Sequence, residues 1–504
     1  MQAGRAPGSI ARGDPSSPGI WQPVDRASEQ RAMHQAKTYD EWKTWALAED
    51  ARSGADRWRG REESSLYDNA VIRRRYEELV EVRASGDAQR LLYYLNEGLH
   101  GNMGGMGSPA LYARARFGTK HLVHEYIEEL VGALDDLENH SEREIPIAEK
   151  LACLRRANDC FGRSALMLSG AGSLGAFHIG VTRALVEHDL VPSVISGASA
   201  GSIVAGLLGT RRGTDLEQSL SPGRIRRSFD ILRGARTPRR RRGPIRLQDL
   251  KAMIEFLIPD MTFLEAFEET GRRINVSVAP ASLHQRSRLL NASTSPNAFL
   301  REAVLASCAI PGLFPAVTLA ARDASGRRRP YVPSRQWVDG SITDDLPARR
   351  LARLYGVNHF ISSQANPISL WAQRDLHGTD SLPARLAEIS LSANREFLRA
   401  VYPFTMRLVR RLHPVDTYMR LWFSIMTQDY SSDVNIVPRQ RVFSPSTFLA
   451  PLSREGVDAL VHEGERATWP KVELIRNCTR ISRRIDDALT RIRERTSFAD
   501  PVSA

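Results

Sequence analysis

Cysteine is scarce in this chain. Cys153, Cys160, Cys308 and Cys478 are the whole complement of 504 residues, and none stands in a CxxC or Cys/His ligand spacing. That excludes a disulfide framework and a zinc ribbon, and a reducing compartment is the simpler expectation. An uninterrupted apolar span is also missing. Residues 164–182 and 190–210 carry no Asp, Glu, Lys or Arg, but clusters of Gly and Ser break both, with Pro192 in the second. Each reads as strand, loop and helix rather than as a membrane crossing. Residues 1–32 are rich in Gly, Pro, Ser and Ala and lack the continuous apolar run of a secretory signal. We expect that stretch to be disordered and the chain to be intracellular.

What the chain does have is an ordinary globular proportion of apolar residues, 42%, and enough length for two or three domains. The formal charge is +12, and it is uneven: residues 211–246 hold twelve Arg against Asp215, Glu217 and Asp230. Within this segment TPRRRRG reads as a loop bearing Arg239, Arg240, Arg241 and Arg242. Such a patch suits phosphates, whether of lipid headgroups or nucleic acid, and a solvated loop or localisation signal fits as well.

From Tyr39 to about Cys160 the apolar spacing is helical, as in Leu91, Leu92, Leu95 and Leu99, and in Leu122, Val123, Tyr126, Leu130 and Leu134. GNMGGMGSP separates two of these helices. From Ser164 onward short β-branched runs alternate with helices: ALML (165–168), SVIS (193–196), INVSVAP (274–280), RLLNAS (288–293) and HFISS (359–363). That alternation predicts an α/β sandwich with a mostly parallel sheet. After Trp371 the pattern is helical again. Residues 397–426 mix aromatics with Arg407, Arg410, Arg411 and Arg420, which suits a lipid interface or a core-packing helix pair with snorkelling Arg. A last helix over 470–495 places Ile475, Cys478, Ile481, Ile485, Leu489 and Ile492 on one face, expected against the α/β domain. The expected organisation is a tail (1–32), a helical domain (33–160), an α/β catalytic domain (161–370) and a helical extension (371–504).

Two glycine motifs follow the first two strands. Gly170, Gly172 and Gly175 form G-x-G-x-x-G, but the acidic residue that binds ribose in a dinucleotide site is absent after the second strand. In its place stands Gly197-Ala198-Ser199-Ala200-Gly201, a G-x-S-x-G between strand and helix, the context of a nucleophile elbow. Ser199 is then the candidate nucleophile. The amides of Gly170, Ala171 and Gly172 are candidate donors to the oxyanion of a tetrahedral intermediate. Two bases are open. Asp339 with His359 or His377 completes a Ser-His-Asp order, though no HGGG motif accompanies it. Alternatively Asp339, in WVDGSITDDLP, takes the proton directly from a site dry enough to raise its basicity.

These motifs, with ASCAIPGLFP (306–315) and the pair Asp339-Gly340, make the sequence similar to the patatin-like phospholipase family. LYARARFGTKHLVHEY (111–126), FISSQANP (360–367), QDYSSDVNIVP (428–438) and GERATWPK (464–471) resemble its triacylglycerol lipase branch and bacterial relatives. The resemblance covers about 39–485. It implies a three-layer α/β/α sandwich, a further helical domain before it, and a Ser199-Asp339 dyad with no histidine and no cofactor. Gly175, Gly197, Gly201 and Gly340 are then motif glycines. Leu174 replaces the usual basic residue of the glycine loop, and Ser341 stands where many members have Gly or Ala.

The expected function is hydrolysis of carboxylic esters of triacylglycerols or phospholipids at a membrane or lipid-droplet surface, with no nucleic-acid partner. A catalytically silent lipid-binding scaffold and a Ser-His-Asp hydrolase are the alternatives. His121 and His124 lack a third metal ligand and read as structural. Asp344 and Asp345 could substitute for Asp339 as base, but before a Leu-Pro helix start they read as ordinary caps. His178 reads as a satisfied core residue or as a support of the glycine loop.

Overall fold

The computed structural model describes residues 33, 35–234, 245–282, 287–341, 344–366, 432–439 and 451–499. The expectations placed on the tail, on Arg239 to Arg242, on His377 and on 397–426 lie outside them. We number the principal helices in chain order. The N-terminal region holds α1 (Tyr39–Ser53), α2 (Asn69–Ser85), α3 (Ala88–Gly98), α4 (His121–Asn139) and α5 (Ile147–Phe161). The sequence signals helix starts here. Thr38, Asp68 and Asp87 each accept an amide of the first turn that follows them, filling a donor the helix leaves orphaned. On α4 the positions expected to be apolar, Leu122, Val123, Tyr126, Leu130 and Leu134, are all buried.

Among the described residues the α/β region has nine strands: β1 (Arg163–Leu168), β2 (Val194–Gly197), β3 (Arg273–Pro280), β4 (Arg288–Leu290), β5 (Ala320–Arg322), β6 (Arg328–Pro330), β7 (Trp337–Asp339), β8 (Val357–Ser363) and β9 (Val434–Ile436). Seven of them make one sheet in the order β4-β3-β2-β1-β8-β9, with β7 also on β3. The pairs β3-β2, β2-β1, β1-β8 and β8-β9 are parallel, and β4 and β7 run antiparallel to β3. Buried on both faces, β1 reads in the sequence as an unbroken apolar run. Ala165 and Met167 pack with Leu351 and Tyr355 of α11 (Ala348–Tyr355). Leu166 and Leu168 belong to the larger core on the other face, with α6 (Ala176–Glu187) and α7 (Ala200–Gly209). The layers are α/β/α. Further helices of this region are α8 (Pro222–Arg233), α9 (Leu247–Leu257) and α10 (Leu300–Ser307).

Two findings differ from the sequence reading. Residues 434–436 add a parallel strand to the sheet, so the sheet continues past the boundary expected at 370 and into a segment expected to be helical. The final helix, α13 (Val472–Ala499), does bury Ile475, Ile481, Ile485, Leu489 and Ile492, but its main neighbours are α4 and α5 of the N-terminal region, with β1 beyond them. It joins the two regions rather than lying on one. Before it, α12 (Arg454–Thr468) packs along α6. Among the described residues no helix is long and apolar enough to cross a membrane.

β1 has β2 on one side and β8 on the other. The parallel strands β1 and β2 end side by side at the carboxyl edge of the sheet, where open α/β sheets form their ligand crevice. Both glycine motifs emerge there.

Candidate active site

Ser199 stands between β2 and α7 with φ 49° and ψ −125°, one of three non-glycine residues at positive φ among those described. An L-residue is strained there, and the turn is held by its neighbours. The Ser199 amide donates to Ser307 Oγ at 2.9 Å, and that hydroxyl donates to the Ser277 carbonyl at 2.7 Å. Ser202 Oγ donates to the Ser199 carbonyl at 2.6 Å. The flanking glycines are needed because the elbow folds against backbone: a Cβ on Gly197 would meet the Gly201 carbonyl, and one on Gly201 would meet the end of β1 at Leu168.

Asp339 closes β7 and is 1% exposed. Its Oδ1 accepts the Ser341 amide at 2.8 Å, and the Ser199 side chain lies near enough to its carboxyl to influence its charge. Burial pushes its pKa up to about 6, against the lowering effect of Ser341 and Ser199. Gly340 lies so close to the β3 backbone at Ser277 that a side chain there would collide with it.

The glycine loop follows β1 on the same edge. Gly172 and Gly175 line a cleft together with Ser199. The Gly170 amide does something else: it donates to Asp345 Oδ1 at 2.6 Å. It is therefore engaged, which removes it from the expected set of oxyanion donors. No protein acceptor is found for the Ala171 and Gly172 amides among the described residues. His178 combines both roles considered for it. It is fully buried, with Nε2 at 2.9 Å from the Ser169 carbonyl and Nδ1 at 2.7 Å from Ser363 Oγ. A carbonyl only accepts, so Nε2 carries the proton and Nδ1 accepts from Ser363. Burial pushes its pKa down to about 4, which keeps the ring neutral, and it ties the root of the glycine loop to β8.

His359 is not placed to complete a triad, and His377 lies outside the described residues. His359 pairs in register with Ser164 near the start of β1, whereas Leu168 and Ser363 mark the ends at which Ser199 lies. Four strand residues, roughly 13 Å, separate His359 from that edge. Its Nδ1 is 2.9 Å from Ser164 Oγ instead. Among the described residues no group of three His, Cys, Asp or Glu could hold a metal ion.

The cleft encloses ≈ 790 Å³ including its mouth. Beyond Ser199 its walls are apolar: Ile203, Val204 and Leu207 of α7, Ile225 and Phe229 of α8, Met253 of α9. The sequence reading missed these walls because α8 lies in the Arg-rich segment. Its signal was present, since Ile225, Phe229 and Leu232 recur at i, i+4 and i+7 and are buried. Several of the arginines are also spoken for. Arg226 pairs with Asp458 at 2.9 Å, Arg246 with Asp249 at 2.9 Å, and Arg233 with Asp230.

A family model described as patatin-like phospholipase matches residues 166–352, and one described as a domain of unknown function, DUF3336, matches 21–159. Triacylglycerol lipase ptl2 of Schizosaccharomyces pombe is 32% identical over 466 residues, 88% of this chain and 72% of its own. The chain belongs to the patatin-like phospholipase family. Triacylglycerol lipase 4 of Saccharomyces cerevisiae is 32% identical over 496 residues, 94% of this chain and 54% of the relative, and triacylglycerol lipase SDP1L of Arabidopsis thaliana is 32% identical over 91% and 58%. The chain thus spans little more than half the length of some of the curated relatives it matches. Among solved structures, VipD from Legionella pneumophila aligns over 59% of the chain at 15% identity with a TM-score of 0.27, too loose a likeness to carry an argument.

Proposed function

We propose that this patatin-like protein is a lipid acyl hydrolase that cleaves carboxylic esters of triacylglycerols or phospholipids by a Ser199-Asp339 dyad. The observation that carries the reading is that Ser199, on the lining of an apolar cleft, lies beside the buried carboxyl of Asp339. The acyl chain occupies that cleft. Ser199 Oγ attacks the ester carbonyl while its proton passes to Asp339. The carbonyl electrons move onto the oxygen, where the amides of Ala171 and Gly172 receive the charge. As the tetrahedral intermediate collapses, Asp339 returns the proton to the departing alcohol, leaving an acyl ester on Ser199. Water then attacks that ester, giving its proton to Asp339. Collapse returns the proton to Ser199 Oγ and frees the fatty acid.

A buried carboxyl with pKa near 6 suits this work, being basic enough to take a proton and still ionised at neutral pH. The substrates named for the relatives support lipid esters over small soluble ones, as do the apolar walls. We place the chain at a membrane or lipid-body surface, where such substrates are held. The test is hydrolysis of triacylglycerol, phosphatidylglycerol, phosphatidylcholine and a short-chain ester by wild type, Ser199→Ala and Asp339→Asn. Both variants should lose activity by several orders of magnitude. A wild type inactive on every ester would replace the enzyme with a lipid-binding scaffold.

A further inference from the structure

Asp345 has no part in the dyad, yet it is as fully enclosed as Asp339. It is 1% exposed and six residues beyond Asp339. Its Oδ1 accepts the Gly170 amide at 2.6 Å and its Oδ2 accepts Asn366 Nδ2 at 3.2 Å. Asn366 lies just past β8, so the carboxyl bridges three segments: the glycine loop after β1, the loop after β7, and the loop after β8.

The peptide before Gly170 is fixed from the β8 side. The Ser169 amide donates to the Ser363 carbonyl at 3.0 Å, the Ala365 amide donates to Ser169 Oγ at 3.0 Å, and that hydroxyl donates to the Gly170 carbonyl at 3.0 Å. With His178 on the Ser169 carbonyl, residue 169 cannot turn. Asp345 then fixes the next amide. On the far side a Cβ at Gly170 would lie 3.0 Å from the Ser341 Cβ, so the loop has no room to rotate toward β7 either. The amides that follow, of Ala171 and Gly172, inherit their direction from this clamp, and Gly172 lines the cleft beside Ser199.

We propose that Asp345 is the positioning residue of the oxyanion-binding loop: by holding the Gly170 amide outside the hole it aims the Ala171 and Gly172 amides at the carbonyl presented to Ser199. Carrying two hydrogen bonds from different segments, it makes the arrangement of the loop independent of substrate. That preorganisation is what oxyanion stabilisation requires, since donors that must reorient during the reaction contribute less. Burial, with the charges of Asp339 and Asp344, pushes its pKa up to about 8, while the Gly170 amide and Asn366 lower it. An acceptor, and not a net charge, is therefore what the position supplies. This inference rests on the hydrolase reading.

The experiment compares Asp345→Ala and Asp345→Asn with wild type, Ser199→Ala and Asp339→Asn on p-nitrophenyl butyrate. Competent sites are counted by release of p-nitrophenol from a p-nitrophenyl alkylphosphonate, and melting temperatures are measured alongside. Per competent site, Asp345→Ala should lower kcat by roughly 100- to 1,000-fold, the effect of losing an oxyanion donor, with KM within about threefold. Asp345→Asn keeps an oxygen for the Gly170 amide and should restore kcat to within roughly tenfold of wild type, the value of a retained hydrogen bond. The proposal is overturned if Asp345→Ala turns over like wild type per competent site. It is equally overturned if the Ala and Asn variants lose activity only in proportion to lost folded protein. Active Ser199→Ala would instead sink the hydrolase reading, whatever Asp345 does.

Discussion

Gly180 of α6 and Gly464 of α12 face each other with nothing but backbone between them: a Cβ on Gly180 would run into the Val461 carbonyl, and one on Gly464 into the Phe177 carbonyl. The pair lets two helices approach until their main chains touch, directly behind the glycine loop. Backbone cannot yield as a side chain does. Gly180→Ala and Gly464→Ala should each lower stability by about 1–3 kcal/mol or more, the cost of overpacking. Gly223→Ala, on an exposed helical position with nothing within 4 Å, should be neutral or stabilise by about 0.5–1 kcal/mol. Urea unfolding of the three variants checks the contrast.

The raised pKa of Asp339 has two readouts. As a base it must be ionised, so kcat/KM should rise with pH through about 6 and then level off. Stability should move the other way. The unfolded carboxyl ionises near 3.8 and the folded one near 6, so between these values the native state binds more protons and stability falls as pH rises. Above pH 6 the deficit is complete, up to roughly 3 kcal/mol. Asp339→Asn should therefore be inactive yet melt higher than wild type at pH 8, with the difference vanishing below pH 4. A variant that melts lower at pH 8 would refute it.

Ser307 relays the elbow to the sheet. Ser307→Ala strands the Ser199 amide and the Ser277 carbonyl, both buried, and should cost about 1–3 kcal/mol. Turnover should fall with it, because φ 49° at Ser199 is held partly by that bond. Chemical denaturation and kcat on a short-chain ester measure the two effects separately.

Glu138 of α4 receives Arg484, Arg491 and Arg495 of α13, at 2.7, 2.9 and 3.3 Å. Burial alone would raise its pKa, but the hydrogen bonds from Arg491 and Arg484 prevail and hold it below the usual range. Glu138→Gln should destabilise the chain by about 1–3 kcal/mol at pH 7. Arg484 retains Asp135, which limits the damage. Because a depressed acid contributes stability only above its unfolded pKa, the gap between wild type and variant should close as pH falls below about 4.5.

On the proposed reading the acyl chain lies in the cleft, so its apolar walls should set acyl preference. Phe229→Trp or Val204→Phe narrows the cleft beyond Ser199. Hydrolysis of long-chain esters should fall while that of a butyrate ester is nearly unchanged. Equal loss on both would place the acyl chain elsewhere.

What the sequence made legible follows from what is local. β1, β2 and β3 are buried on both faces, so their apolar runs announce them, and the elbow follows from its own five residues. β9 is three residues long and has meaning only beside β8. Asp345 resembles any acid before a helix, since its partner Gly170 is 175 residues away. The walls of the cleft were hidden by the arginines on the other face of the same helix. Gly180 and Gly464 are visible as glycines, but their contact is not, because nothing in either stretch points to the other.

The clasp of α13 on α4 has a consequence for synthesis. The helices that leave the ribosome first carry an apolar face whose cover is made last: Arg484 follows Glu138 by 346 residues. Until then the nascent N-terminal region lacks the cover that α13 supplies to α4 and α5. A chain interrupted after Ser199 and Asp339 have been made already contains both residues of the proposed dyad, but it leaves that face of the N-terminal helices open, which favours capture by chaperones or aggregation.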